Sequence, residues 1–278
     1  MNKKLAFIFI VLLLAIGFWR MKPVFDVAKV SFKETPTATP VTQKPILKLA
    51  VLGDPESDLE RLKKALDLAK KNGDEMAVIV GDLTQIGILK QLEEIKKMVK
   101  NSPLTTYVIP GNHDLYTSRK ETKEPKKYYQ QVFGTLYFQL PIKAGKLNLN
   151  FLFLDNSEEY QLMEEEQMAL IKNSLKQKAD LIFVFLHLPI YHPASDYIMG
   201  YENEAVSKQK DQLLSIFKEA SVSAVFAGHL HHTSSYEWSG IKMYVVGSVN
   251  LGRNWQTPRF LEVKILESGK FLVKEIEL

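Results

Sequence analysis

The sequence contains no cysteine. Disulfide bonds, thiolate metal sites, a cysteine nucleophile and a lipid-modified cysteine are therefore excluded. Residues 46–278 also lack an excess of charge of either sign, with 29 basic against 30 acidic side chains. A neutral domain has no broad positive surface for a polyanion, so we expect no nucleic-acid partner. The basic excess lies in residues 1–45, where seven Lys and Arg face two acidic residues.

The N-terminal segment has the layout of an export signal or a membrane anchor. Lys3 and Lys4 precede fifteen uncharged, mostly apolar residues, from Leu5 to Trp19. A charged start followed by an apolar stretch is typical of such segments. Residues 1–19 are predicted to be an uncleaved, single-pass anchor in the cell membrane, with the folded part of the chain outside the cytoplasm.

Cleavage and orientation of this segment stay open. Secretion after cleavage at the small-residue pattern Ala15-Ile16-Gly17 is the alternative to an anchor. Fifteen residues are short for a bilayer span, which takes about 20, so a span would need a thinner bilayer or snorkelling flanks. Basic residues also follow the segment, at Arg20, Lys22, Lys29 and Lys33. The positive-inside count therefore does not select an orientation.

A linker is predicted over residues 20–45. Its second part, residues 35–45, is rich in Thr and Pro and has no apolar periodicity. This composition is typical of an extended spacer. Residues 46–278 are then predicted to form one domain.

From Ile46 onward, short apolar runs alternate with segments of helical periodicity, which predicts the α/β class. The predicted strands are Ile46–Leu52, Met76–Val80, Thr105–Ile109, Leu149–Leu154, Leu181–Leu186 and Val222–Ala227. The predicted helices are one that begins at the capping-box spacing of Ser57 and ends at Asn72-Gly73, and three others over residues 86–100, 164–177 and 208–219. Beyond residue 234, Ser239-Gly240 and Ser268-Gly269 predict hairpin turns.

Five apolar runs end at residue types that bind metals or transfer protons. These residues are Asp54, Asp82, the segment Asn112-His113-Asp114, His187, and the pair His229 and His231. Ligands of an open α/β sheet collect beyond the carboxyl ends of its strands, so we expect these side chains to converge. All six histidines lie between residues 113 and 232, and five of them follow these strand ends. That distribution favours one shared site over scattered structural histidines.

The order and spacing of these residues resemble those of the calcineurin-like metallophosphoesterases over about residues 50–250. Gly81-Asp82 is similar to the second motif of that family, Gly111-Asn112-His113-Asp114 to the third, His187 to the fourth and Gly228-His229-Leu230-His231 to the fifth. The resemblance implies two packed mixed β-sheets flanked by helices, a four-layer sandwich. It also implies hydrolysis of a phosphomonoester or a phosphodiester as the activity.

The resemblance further implies two divalent metal ions as cofactors. Asp54, Glu56, Asp82 and His231 would hold one ion, and Asp82, Asn112, His187 and His229 the other. A hydroxide that bridges the two ions would attack phosphorus in line. His113 would protonate the leaving oxygen or stabilise the transition state, and Asp114 would orient His113.

The first motif departs from the family pattern Asp-x-His, because this chain has Asp54-Pro55-Glu56. A carboxylate oxygen suits hard and borderline cations, so Glu56 predicts manganese or iron, with zinc or magnesium as alternatives. The competing hypothesis is that Glu56 faces solvent and the first metal is weak or absent. The chain would then be a catalytically silent, metal- or phosphate-binding member of the same fold. An esterase acting on polymers is a further rival, and the neutral charge of the domain argues against it.

The remaining polar residues carry weaker signals. His192 and His232 match no ligand position and are interpreted as loop histidines. The mixed basic and acidic segment 119–127 is predicted to be a solvated loop. Arg253 and Arg259 follow Gly247-Ser248 closely enough to reach a phosphate, but the sequence singles out neither of them.

Overall fold

Two mixed sheets and the helices that cover them make up the computed structural model, which describes residues 44–278. The strands are β1 (Pro45–Leu52), β2 (Met76–Val80), β3 (Thr105–Ile109), β4 (Phe138–Ala144), β5 (Leu147–Phe153), β6 (Leu181–Phe185), β7 (Ala224–Ala227), β8 (Ser234–Trp238), β9 (Ile241–Val245), β10 (Arg259–Leu266) and β11 (Phe271–Glu277). The helices are α1 (Leu59–Lys71), α2 (Leu89–Lys100), α3 (Tyr116–Glu121), α4 (Lys127–Phe133), α5 (Glu165–Leu175) and α6 (Glu204–Glu219), with a 3₁₀ turn at His113–Leu115. The predicted anchor and all but the last two residues of the predicted linker lie outside the described residues.

The first sheet has five strands in the order β11-β10-β1-β2-β3, and the second has six in the order β4-β5-β6-β7-β9-β8. Strands β1, β2 and β3 are parallel, as are β5, β6, β7 and β9. The hairpins β8–β9 and β10–β11 turn at the two predicted Ser-Gly pairs. Each sheet therefore contains a set of adjacent parallel strands, and the carboxyl ends of these strands lie along the same edge of the sheet.

Three apolar layers hold the sheets and helices together. The central layer lies between the sheets and is rich in aromatic side chains, including Phe151, Phe183, Phe185 and Phe226. The second covers the outer face of the six-stranded sheet under α5 and α6, and the third covers the outer face of the five-stranded sheet under α1, α2 and α4. The order helix, sheet, sheet, helix confirms the predicted four-layer α/β sandwich.

The start of α1 differs in detail from the sequence prediction. Asp58 caps the helix, since its side chain accepts from the backbone nitrogen of Arg61 at 3.1 Å. The hydroxyl of Ser57 instead accepts from the backbone nitrogen of Gln85 at 3.3 Å. Ser57 therefore ties the loop after β1 to the loop after β2 rather than capping the helix.

The prediction of a solvated loop over residues 119–127 holds for only part of the segment, because only residues 122–126 lie outside helices. This segment holds the end of α3 and the first residue of α4. Arg119 pairs with the buried carboxylate of Glu158 at 3.1 Å, and Lys126 pairs with Asp155 at 2.7 Å. Buried acidic partners order the segment, and they lie too far away in sequence to be inferred from it. Among the described residues, no helix is both long and apolar enough to cross a bilayer.

Candidate metal centre

The candidate ligands lie in loops that leave the parallel strands. Asp54 and Asp82 follow β1 and β2, His113 follows β3, and His187 and His229 follow β6 and β7. Hydrogen bonds join these loops, both at 2.9 Å: the backbone nitrogen of His229 donates to Asp54 Oδ1 between loops of the two sheets, and that of His113 donates to Asp82 Oδ1 between loops of the five-stranded sheet. The residues predicted from strand ends thus come together at one edge of the sandwich.

At several candidate ligands the backbone adopts a left-handed conformation that residues other than glycine rarely adopt. Positive φ angles occur at five candidate ligands, namely Asp54, Glu56, Asp82, His229 and His231. Left-handed φ costs non-glycine residues on the order of 1 kcal/mol or more, and such strain gathers at functional sites. The fold holds the residues there by close packing, since a Cβ on Gly111 would overlap the backbone nitrogen of Asp82.

Asp82 lies at the centre of the candidate ligands. Three groups of side chains bring metal-binding atoms within 4.8 Å of one another: Asp82 with His187 and His229, Asp82 with Asp54 and His231, and Asp82 with Glu56 and His113. Asp82 is common to all three groups. A carboxylate is the group best able to bridge two cations, because it offers two oxygens and a negative charge.

The histidine rings are oriented by backbone carbonyls. Nδ1 of His187 donates to the carbonyl of Val80 at 2.9 Å, and Nδ1 of His231 donates to that of Arg253 at 2.5 Å. In both rings Nε2 then faces the carboxylates, at 3.3 Å from Asp82 Oδ1 for His187 and 3.7 Å from Asp54 Oδ1 for His231. Such carbonyl contacts are the usual way to fix the tautomer and direction of a metal-binding imidazole.

The side-chain amide of Asn112 lies beside His187 and His229. Its Oδ1 lies 2.9 Å from Nε2 of His187 and 3.2 Å from Nδ1 of His229, while its Nδ2 donates to the hydroxyl of Tyr116 at 3.1 Å. The amide oxygen is thereby directed at the histidines.

Burial shapes the electrostatics of the site. It raises the pKa of the Asp54 carboxyl to about 6 and lowers the pKa of the His229 ring to about 3. Burial also acts to raise the pKa of Asp82, but His187 and the other imidazoles outweigh it and hold the pKa below its usual range. Burial disfavours protonation of His187, yet the Asp82 charge raises the pKa of that ring to about 10. Without a metal, Asp82 and His187 thus form an ion pair.

The charge and burial of the three carboxylates suit the binding of a divalent cation. Asp54, Glu56 and Asp82 are each at most 4% exposed, and three carboxylates so close together repel one another unless positive charge offsets them. Oδ2 of Asp54 is buried and has no hydrogen-bond partner among the residues that the structure describes. An orphaned carboxylate oxygen beside oriented imidazoles is the donor set of a divalent metal.

Glu56 does not face solvent, since it is only 4% exposed. Its Oε1 accepts from NH1 of Arg253 at 2.7 Å, and its Oε2 accepts from Nδ2 of Asn250 at 3.3 Å. Oε1 also lies 3.8 Å from Nε2 of His231. Glu56 therefore lies within reach of the candidate ligands and is held by two residues of the loop after β9.

His113 and Asp114 occupy different environments. The ring of His113 donates from Nδ1 to the carbonyl of Gln85 at 2.8 Å, and its Nε2 lies 4.0 Å from Asp82 Oδ2. The buried carboxyl of Asp114 accepts from the backbone nitrogens of Gly111, Leu83 and Thr84 and from the Thr84 hydroxyl, at 2.7–3.1 Å. Asp114 thus fixes the loops that carry Asp82 and His113, and its link to His113 runs through the backbone.

Arg253 is the site residue that sequence reasoning did not single out, because nothing in its neighbourhood distinguishes it from Arg259. The structure separates the two. Arg253 reaches Glu56 and His113, whereas Arg259 pairs with Glu275 and Glu277 on β11, at 2.7 and 3.1 Å. His192 and His232 stay outside the cluster and bond to Ser234 and Gln256.

A cleft of about 670 Å³ opens above the candidate ligands. Its walls include Tyr116, Tyr197 and Trp255, and Glu159 and Arg253 add one charge of each sign. This volume suits a small organic phosphate.

Comparison with known proteins agrees with this geometry. The family model described as calcineurin-like phosphoesterase matches residues 47–233. A probable cyclic nucleotide phosphodiesterase of Vesicomyosocius okutanii is 22% identical over 70% of this chain and 79% of its own length. A probable glycerophosphodiester phosphodiesterase of Arcobacter nitrofigilis is 24% identical over 63% of each chain. The serine/threonine-protein phosphatase CPPED1 of Rattus norvegicus is 24% identical over 58% of this chain, which spans about half (52%) of that relative.

Solved structures share the fold. GAP50, titled the anchor in the inner membrane complex of Plasmodium, superposes with a TM-score of 0.61 at 16% identity, over 83% of this chain and 84% of that one. Purple acid phosphatase PPD1 from yellow lupin superposes with a TM-score of 0.62 at 12% identity, over 84% of this chain and 52% of that one. Because the family model covers more than half of the sequence and the strand ends bring its motif residues together, this chain belongs to the calcineurin-like phosphoesterase family.

Proposed function

We propose that the chain hydrolyses a phosphomonoester or a phosphodiester at a two-metal site. The observation that carries the proposal is the position of Asp82, which is shared by three groups of potential metal-binding atoms. Asp54, Glu56, Asp82 and His231 would hold one ion, and Asp82, Asn112, His187 and His229 the other. Such ions would supply an activated water and offset the negative charge on the phosphoryl oxygens.

The side chains of the site prepare it for an anionic substrate. The Asp82 carboxylate stays ionised because its pKa is held low, and the buried His229 ring stays neutral with a lone pair to share. His113 lines the cleft with Nδ1 tied to Gln85, so its Nε2, which also contacts NH1 of Arg253 at 2.9 Å, is the nitrogen assigned to the substrate. We assign His113 to the leaving oxygen and Asp114 to the loop geometry that places His113.

The departure at Glu56 favours a second candidate. Glu56 makes an ion pair with Arg253 at 2.7 Å, so part of its charge is already neutralised without a metal. A chain in which this pair replaces the first metal would bind a metal or a phosphate without turnover.

One experiment separates the two candidates. The purified chain is loaded with manganese, its metal content is measured, and phosphomonoesters and phosphodiesters are assayed. Two bound ions and metal-dependent hydrolysis are expected for the enzyme. One ion or none, with no hydrolysis of any ester, would establish the silent alternative.

The outer segments belong to the proposal as well. We propose that residues 46–278 are the catalytic domain and that residues 1–19 anchor it to the cell membrane through the linker 20–45, with the domain outside the cytoplasm. The described residues fall within one compact unit, which supports a domain start close to Ile46.

A further inference from the structure

The guanidinium group of Arg253 is held at one end and open at the other. NH1 donates to Glu56 Oε1 at 2.7 Å and contacts His113 Nε2 at 2.9 Å. The side chain is 50% exposed, whereas that of Glu56 is 1% exposed. The charge of Arg253 therefore lies at the mouth of the cleft, fastened to a buried carboxylate below it.

The other edge of the guanidinium has donors to spare. An arginine carries five N–H donors in a fixed plane, and NH1 accounts for two of them. Within the described part of the chain, Nε and NH2 of Arg253 donate no hydrogen bond, since all its side-chain hydrogen-bonding contacts are made by NH1. These two nitrogens form the edge that binds two oxygens of a phosphate side by side.

The charge of the site explains why Arg253 is needed. Glu56 stands where the family pattern has a neutral imidazole, so this chain adds one negative charge to a pocket that must receive an anion. The positive guanidinium of Arg253, whose NH1 lies 2.7 Å from Glu56 Oε1, offsets this added negative charge. The backbone carbonyl of the same residue accepts from His231, so the loop after β9 is tied to the site at two points.

We propose that Arg253 binds two non-bridging oxygens of the substrate phosphate and thereby selects phosphomonoesters over phosphodiesters, with Glu56 as the residue that positions it. A phosphomonoester has three non-bridging oxygens and a charge near −2, whereas a phosphodiester has two such oxygens and a charge of −1. In a diester, Arg253 and the metal ions would have to share the same two oxygens, whereas a monoester has a third oxygen that faces the metal ions alone. The proposal rests on the phosphoesterase function proposed above.

The test uses the full chain loaded with manganese, and inorganic phosphate as the probe. Calorimetry gives the phosphate affinity of Arg253→Gln, which is expected to fall about 10- to 100-fold, as for the loss of a charge-assisted pair of hydrogen bonds. Arg253→Lys keeps the charge but not the planar edge and should lie between. Lys64→Gln, the same change of charge at an exposed position on α1, is the control and should leave the affinity unchanged.

Kinetics then test selectivity. In Arg253→Gln, kcat/KM for a phosphomonoester should fall about tenfold more than that for a phosphodiester, and metal content should stay at the wild-type value. In a Glu56→Gln background the effect of Arg253→Gln on phosphate affinity should shrink, because the guanidinium has lost its charged partner; metal content is measured in this background as well, since Glu56 is also a candidate ligand.

Two results would overturn the proposal. One is an unchanged phosphate affinity and an unchanged monoester-to-diester ratio in Arg253→Gln. The other is a loss of bound metal in that variant, which would show that Arg253 acts through His231. If Arg253→Gln does not fold, Arg253→Lys decides by the same measurements. If the wild-type chain hydrolyses no ester, the proposed function fails, while the phosphate titration still tests Arg253.

Discussion

At the scale of single residues, Asp82 and His113 differ in their surroundings. Asp82 is 1% exposed and shared by every group of candidate ligand atoms, whereas His113 projects into the cleft from the start of a 3₁₀ turn. Asp82 is proposed to bind the metals, whereas His113 is assigned to the leaving oxygen of the substrate. The two residues should therefore respond differently to substitution.

We therefore expect Asp82→Asn to abolish activity and to lower the metal content of both sites. His113→Ala should slow turnover by about 10²- to 10⁴-fold, the usual contribution of a proton-transferring residue, while the metals stay bound. Metal analysis and steady-state kinetics on the same preparations check both expectations. An empty site in His113→Ala would show that His113 is a ligand.

Metal binding should release protons. The pKa of His187 is raised to about 10 in the metal-free site, so at pH 8 the ring is protonated and must lose its proton to bind a metal. Asp54, with a pKa of about 6, adds a second proton below pH 6. Affinity for manganese should thus rise as pH increases from 5 to 9.

Calorimetry of manganese binding in buffers of different ionisation enthalpy measures the protons released at pH 5 and pH 8. More protons should be released at pH 5, where Asp54 adds to His187, than at pH 8, where at least one is expected. His232→Ala, a histidine outside the cluster, should leave the count unchanged. A count of zero at pH 8 would show that His187 is already neutral.

At the scale of elements, the turn between α1 and β2 contains a buried acid that the site does not use. Asp74 is 2% exposed, and neither oxygen of its carboxyl has a hydrogen-bond partner among the described residues. Burial, together with the negative charge of Glu262, raises the pKa of Asp74 to about 7, although Lys48 and Lys264 oppose the shift. This carboxyl therefore opposes folding when it is ionised.

The sign of its effect on stability follows from linkage. Because the pKa is higher in the folded than in the unfolded chain, stability is lost as pH rises from about 4 to about 7, and the cost stays constant above that range. Asp74→Asn should thus raise the free energy of unfolding by about 1–3 kcal/mol at pH 8 and change it little at pH 4.

Urea denaturation at the two pH values measures the difference. Asp211→Asn on α6, where the Asp211 side chain is 67% exposed, provides a matched control and should be close to neutral. Equal effects of Asp74→Asn at pH 4 and pH 8 would contradict the expectation.

At the scale of the whole molecule, the three apolar layers and both sheets lie within residues 44–278. We therefore expect the fold not to need residues 1–45 for its stability. Their removal should leave a folded, metal-binding domain.

A chain that begins at Ile46 is expected to be soluble and to keep the kcat/KM of the full chain within about twofold, because the site has its ligands within the remaining residues. Circular dichroism, metal analysis and ester hydrolysis compare the two forms. Loss of the folded state in the shortened chain would place the domain boundary elsewhere.

How much could be predicted from the sequence depends on the range of the interactions. Strands β2 and β3 have the predicted bounds, and β6 ends within one residue of its prediction, because a buried strand is a local apolar run. The candidate ligands other than Glu56 were found for a related reason, since they stand at or just beyond the ends of such runs, whereas Glu56 was identified from its place in the first motif. Strand β4, by contrast, was not predicted: it lies at a sheet edge, is only partly buried and contains a proline.

The sequence by itself thus determined the α/β class, the family and the set of residues at the strand ends. Only the tertiary structure decided what Glu56 and Asp114 contact. Glu56 meets Arg253 across 197 positions of sequence, and Asp114 fixes a loop about 30 positions away, that of Leu83 and Thr84. Periodicity indicates which residues of a helix or strand are buried, and motifs indicate which residues follow its end. Which charged groups face one another depends on how the two sheets pack, because packing brings together loops that share no local sequence signal.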